Sequence, residues 1–172
     1  MDLSTYIRDI PDWPKEGVVF KDITPLLASP EAFRDSIDSL ADAYKDAGIT
    51  KVIGAEARGF IFGGPLAYRL DVGFVPARKP GKLPFETTSL AYDLEYGTDT
   101  LEVHADAFNP DDVVLIVDDV LATGGTAAAT AQLISATGAR VAGFAFLIEL
   151  DFIGGRSKLP PDVRIVSLIH VE

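Results

Sequence analysis

Five consecutive apolar residues, Val113-Val114-Leu115-Ile116-Val117, run directly into Asp118-Asp119 and then Ala122-Thr123-Gly124-Gly125-Thr126. A β-branched run with no polar alternation reads as a strand buried on both faces, the condition of a parallel sheet covered by helices. The surrounding pattern agrees with that class. Strands are expected over 51–55, 72–77, 113–117 and 141–150, with helices over 60–70 and 125–137 between them. Another helix opens at Ser29-Pro30, a capping residue followed by proline at the first helical position, and carries Phe33, Ile37, Leu40 and Tyr44 down one face. Leu3, Tyr6, Ile7 and Ile10 predict a short N-terminal helix, and strands over 90–95 and 100–104 predict a hairpin. The fold class expected is α/β, a doubly wound and mostly parallel sheet flanked by helices.

In such sheets ligands bind beyond the carboxyl ends of the strands. After 113–117, two glycines allow backbone to approach a ligand closely, and free N–H groups at the start of the next helix, with Thr123 and Thr126, form a nest for a phosphate monoester. Asp118 and Asp119 repel phosphate. They suit a neighbouring pair of sugar hydroxyls, or a hydrated Mg²⁺ held through its water. Nest and acids together point to a ribose 5-phosphate. A Walker loop, Gly-x-x-x-x-Gly-Lys-Ser/Thr, is absent, as is any Gly-x-Gly-x-x-Gly after a strand.

The other strand ends carry the opposite charge. Arg58, in Glu56-Ala57-Arg58-Gly59-Phe60, either clamps a diphosphate or pairs with Glu56. The stretch 72–85 holds Arg78, Lys79 and Lys82 and no acid, inside a chain of net charge −11. A local reversal of sign suits capture of a small, highly charged anion, while the acidic average disfavours nucleic acid as a partner. No apolar run is long enough to span a membrane, and Asp2 and Asp9 stand where a signal peptide would be basic and then apolar, so a cytoplasmic location is expected. The absence of cysteine removes disulfides, thiolate metal sites and cysteine nucleophiles. With 172 residues, one domain is expected.

The string from Val113 to Thr126 resembles the phosphoribosyl pyrophosphate loop of the type I phosphoribosyltransferases, and within them the adenine-specific members. The resemblance continues in order along the chain through Gly17-Val18-Val19-Phe20-Lys21-Asp22-Ile23, Glu56 to Phe60, Arg78-Lys79-Pro80-Gly81-Lys82-Leu83-Pro84 and Leu94-Glu95-Tyr96-Gly97. It implies transfer of ribose 5-phosphate from phosphoribosyl pyrophosphate to adenine, with Mg²⁺ carried mainly on the substrate. It implies Glu95 as the catalytic residue at the purine, and Ala122, Thr123, Gly124, Gly125 and Thr126 on the 5-phosphate, with Asp118 and Asp119 on the ribose. Arg58, Arg78, Lys79 and Lys82 take the pyrophosphate, and Val19, Phe20, Lys21, Tyr96 and Leu121 border the base. Lys21 stands where the family commonly has arginine. The resemblance further implies an N-terminal hood (1–28), a mobile loop and hairpin inserted at 78–104, and a homodimer with the partner's Arg78 near each site. Two alternatives stay open: a 6-oxopurine transferase, because backbone groups read the purine edge, and a non-catalytic sensor of phosphoribosyl pyrophosphate.

Overall fold

The structure, a computed structural model, describes residues 1–93 and 97–172. Its centre is a five-stranded sheet of β3 (Lys51–Ala55), β4 (Gly73–Ala77), β7 (Val113–Leu121), β8 (Arg140–Leu150) and β9 (Arg164–Val171), in the order β4-β3-β7-β8-β9. Every neighbouring pair is parallel. β9 was not expected from the sequence; Ile165 to Val171 alternate too irregularly, with Ser167 and His170 among the apolar residues.

Both faces of β7 are covered, as its apolar run requires. Leu115 and Val117 enter one core with Leu40, Phe62 and Leu66, from α2 (Pro30–Tyr44) and α3 (Arg58–Leu70). Val114 and Ile116 enter a second core with Leu133 and Ile134 of α4 (Gly125–Ala136). That second core is completed by Leu101 and Val103 of a hairpin, β5 (Thr87–Asp93) with β6 (Thr98–His104). α2 starts as expected: the Ser29 side chain accepts from the Ala32 N–H at 3.2 Å, with Pro30 in the first turn. A five-residue helix, α1 (Thr24–Ala28), precedes it. No helix among the described residues is long and apolar enough to cross a membrane.

The N-terminus corrects one expectation. Only Leu3–Tyr6 turn, as a 3-10 helix; Arg8–Pro11 form β1, antiparallel to β2 (Val19–Asp22), with Asp9 opposite Lys21 and Ile10 opposite Phe20. Four apolar residues with prolines close behind offer too few hydrogen bonds to propagate an α-helix, whereas Val19-Phe20 supply a strand partner.

The strand order reverses between β3 and β7, since the chain runs outward from β3 to β4 on one side and from β7 to β9 on the other. A crevice opens at such a switch point. The motifs singled out above, at Glu56 to Arg58 and at Asp118 to Thr126, follow or end these two strands.

Candidate active site

β7 continues through both aspartates to Leu121, four residues past the expected end. Asp118 lies opposite Phe146 and Leu121 opposite Glu149 of β8, so pairing with a long neighbour carries the strand beyond its apolar stretch. Gly124 then takes a left-handed conformation (φ +79°) and caps α4. Its Cα touches a second backbone: a Cβ there would lie 2.4 Å from the Gly155 carbonyl oxygen. Glycine is thus required twice over, by torsion and by space. The resulting hollow, about 90 Å³, is walled by Ala122 to Ala127 with Asp118 at its rim. The first-turn N–H groups of a helix have no intrahelical partner, which makes such a hollow receptive to an anion.

A larger cleft of about 450 Å³ adjoins it, sharing Asp118, Val120, Ala122 and Thr126. Its floor holds the acid pair. Asp119, only 4% exposed, accepts a hydrogen bond from Arg58 Nε. The Asp118 carboxylate accepts from the Asp119 N–H at 2.9 Å. Burial, and next the adjacent Asp119 charge, push the Asp118 carboxyl well above the usual carboxylate range. A sugar hydroxyl or a cation entering here relieves that repulsion.

Of the two readings of Arg58, the ion pair with Glu56 is absent; the arginine turns to Asp119. Glu56 faces the loop after β4 instead. Its carboxylate accepts from the Lys79 N–H at 2.7 Å and from Lys82 Nζ, and lies 3.4 Å from Arg78 Nε. The Lys82 hydrogen bond, foremost among these contacts, holds the Glu56 carboxyl below its ordinary range. Arg78 Nε is itself buried without a hydrogen-bond partner. Lys79 Nζ reaches across to Asp99 on β6.

Val18 and, from β2, Val19 and Phe20 form an apolar lip of the cleft. Val19 is 50% exposed and the Phe20 ring packs edge-on against Trp13, centroids 4.5 Å apart, with the Arg58 guanidinium 5.8 Å from its centre. An aromatic face, a cation and exposed backbone together suit a flat heteroaromatic ring. The Lys21 side chain is engaged elsewhere, at 2.7 Å from Asp9 on the paired strand.

The family model described as the phosphoribosyl transferase domain matches residues 22–169. The chain belongs to this family. It is 60% identical over 171 residues to the adenine phosphoribosyltransferase of Maridesulfovibrio salexigens, covering 99% of this chain and all of that one. The crystal structure of adenine phosphoribosyltransferase from Thermoanaerobacter pseudethanolicus superposes with a TM-score of 0.95 at 54% identity, covering 99% of this chain and 98% of that one. The Saccharomyces cerevisiae adenine phosphoribosyltransferase, solved with D-2,5-dideoxy-2,5-imino-altritol 1,6-bisphosphate and adenine, gives 0.90 at 40% identity over 97% and 96%.

This phosphoribosyltransferase brings most of the sequence-derived residues to one crevice. Val19, Phe20, Lys21, Arg58, Lys79, Asp118, Asp119, Ala122 and Thr126 line the cleft, and Thr123, Gly124 and Gly125 the adjoining hollow. Arg78 and Lys82 stand behind Glu56 rather than on the cleft wall. Leu121 does not line the main cleft: it is 1% exposed, packs in the core with Phe146 and borders only the adjoining hollow. Alternation along the strand puts Val120 on the cleft wall in its place. Glu95 and Tyr96 lie outside the described residues.

Sequence reading missed Tyr92 and Leu150. Both line the cleft, and the Tyr92 hydroxyl lies 3.2 Å from Thr126 Oγ1 and 3.4 Å from Asp99. Its strand alternates Leu90 and Tyr92 inward, a period-two signal that pointed to this face.

Proposed function

We propose that the chain forms AMP and pyrophosphate from adenine and 5-phosphoribosyl 1-pyrophosphate, by displacement at the anomeric carbon. One observation carries this reading: the phosphate hollow, the paired acids, Arg58 and Lys79, and the aromatic lip all open on a single crevice. The names of the relatives favour adenine over a 6-oxopurine.

In the reaction the C1–O bond breaks with its electron pair leaving on pyrophosphate, and purine N9 bonds to C1. The transition state resembles an oxocarbenium ion. Ala122 to Thr126 hold the 5-phosphate through backbone amides and hydroxyls. Asp118 and Asp119 accept from the ribose diol and lie where positive charge grows on the sugar. Arg58, Arg78, Lys79 and Lys82 receive the charge that grows on the leaving group. Phe20 covers the base, while backbone groups of Val19 and Lys21 read its edge. Glu95 takes the purine proton, its role carried by the Leu-Glu-Tyr-Gly motif, with Tyr96 bordering the base.

Mg²⁺ fits the donor chemistry of the floor, where two carboxylates offer hard oxygens and repel one another. Bound mainly to the diphosphate, it would supply charge neutralisation there, with Asp118 and Asp119 touching its water shell. Residues 1–28 serve as the hood, and the loop after β4, within the insertion 78–104, closes over the donor and keeps water from hydrolysing it. The working form is a cytoplasmic homodimer, the partner's Arg78 adding to each pyrophosphate site.

Incubation with Mg²⁺, phosphoribosyl pyrophosphate and each purine in turn tests the reading. AMP from adenine is expected. A nucleotide formed only from hypoxanthine, guanine or xanthine overturns the base assignment, and no nucleotide with any base overturns catalysis.

A further inference from the structure

The phosphate hollow is supported from behind by a segment with no assigned role. Gly155 lies against it so closely that a Cβ there would stand 2.0 Å from the Ala122 carbonyl oxygen and 2.8 Å from the Gly124 nitrogen. The contact is reciprocal, as the Gly124 geometry above requires. Two backbones meet with no side chain between them, and in a close-packed interior one cannot shift without moving the other.

The next residue fixes Gly155 to the sheet. Arg156 grips Glu149 with two parallel hydrogen bonds, Nε to Oε1 at 2.8 Å and a terminal nitrogen to Oε2 at 2.5 Å. Glu149 is 4% exposed and sits on β8 opposite Leu121, the last residue of β7 and part of the hollow's wall. The Ser167 hydroxyl on β9 donates to the same carboxylate at 2.6 Å. Foremost the Arg156 hydrogen bond holds the Glu149 carboxyl below its ordinary range, so the pair is charged at neutral pH. None of Glu149, Gly155, Arg156 and Ser167 lines the main cleft.

We propose that Gly155 and the Glu149–Arg156 fork form a brace that sets the shape of the phosphate hollow, making them positioning residues for the phosphoribosyl donor. Backbone amides cannot adjust individually as side chains do. The curvature of 122–126 therefore decides how many of them reach a phosphate, and the brace holds that curvature. The hood that takes the base is built on β1 and β2, which carry none of the brace residues; only Leu150, beside Glu149, also lines the main cleft, so the effect falls first on the donor.

The inference rests on the hollow being the 5-phosphate site, and binding of ribose 5-phosphate to the unmodified protein tests that premise by itself; failure there removes the assignment of the site along with the brace. With binding in hand, Gly155→Ala is expected to weaken ribose 5-phosphate about tenfold or more, as displacement of a positioning group by an ångström does. The donor KM rises in step, with adenine KM changed far less. Arg156→Lys keeps the charge but loses the fork, and falls between the native protein and Arg156→Met. Should Gly155→Ala fail to fold, this pair of variants carries the test. Glu149→Gln separates the brace from direct contact: weaker donor binding supports the brace, whereas tighter binding means that the released Arg156 grips phosphate itself and overturns it. Equal losses for donor and adenine, tracking a lower melting temperature, also overturn it.

Discussion

Lys82, in the loop after β4, reaches back to Glu56 at the end of β3, so the cationic loop is held by a carboxylate of the same turn that carries Arg58. Lys79 contributes its backbone N–H to the same group. On the proposed reading, a diphosphate bound by Arg78, Lys79 and Lys82 would compete with Glu56 for them. Glu56→Gln is expected to tighten pyrophosphate binding about threefold, since a partly exposed pair contributes roughly 0.5–1 kcal/mol. Calorimetric titration with pyrophosphate checks this, and weaker binding in the variant would show that Glu56 orders the loop rather than competing with its ligand.

At the base, Glu95→Gln is expected to lower kcat about a hundredfold with little change in adenine KM, the signature of a proton acceptor in the transition state. An unchanged kcat removes Glu95 from the chemistry.

Away from the site, Asp112 closes the far end of the sheet. It accepts from Lys51 Nζ and the Thr50 hydroxyl, both at 2.8 Å, and from the Asn109 N–H at 2.9 Å. Burial pushes its carboxyl up, but these bonds together outweigh burial and hold it below the ordinary carboxylate value. A depressed folded-state value stabilises the fold above the unfolded value, and that contribution is lost as pH falls through the folded one. Lys51→Met leaves the carboxylate unpaired and is expected to cost about 2–3 kcal/mol at neutral pH, less than a fully buried pair because Lys51 is partly solvated. Urea unfolding should show the difference between variant and native narrowing in acid; a constant difference would exclude the charge as its source.

Tyr44 ties α2 to the sheet, its hydroxyl 2.8 Å from the Phe144 carbonyl oxygen and 3.1 Å from that of Arg164. Burial raises its pKa from 10.0 to about 12. For a group raised in the folded state, stability is whole below the unfolded value and is lost as pH climbs to the folded one. About 2–3 kcal/mol should therefore disappear across that alkaline interval. Tyr44→Phe is expected to be about 1–2 kcal/mol less stable at neutral pH and to lack this part of the alkaline decline. Denaturation curves at several alkaline pH values decide it; equal slopes in both proteins count against the tyrosine.

The sequence made the sheet legible where its signal was local. An unbroken apolar run can be satisfied only with both faces covered, and β7 has a core on each side. The Ser29-Pro30 cap likewise needs nothing beyond its own turn. The N-terminal hairpin was misread because β1 has no strand character until Val19 and Phe20 lie beside it. β9 was missed because its polar residues face partners distant in sequence, Ser167 bonding to Glu149 and His170 to Asp151.

The same division runs through the site. The sequence by itself determined the candidate groups, because paired acids before Ala-Thr-Gly-Gly-Thr and a cationic stretch in an acidic chain are properties of neighbouring residues. Only the tertiary structure decided the pairings: Arg58 with Asp119 rather than Glu56, Glu56 with Lys82, Val120 rather than Leu121 on the cleft wall, and Gly155 beneath Gly124. These are settled by strand register and by packing between segments far apart along the chain, and composition and spacing carry no record of either.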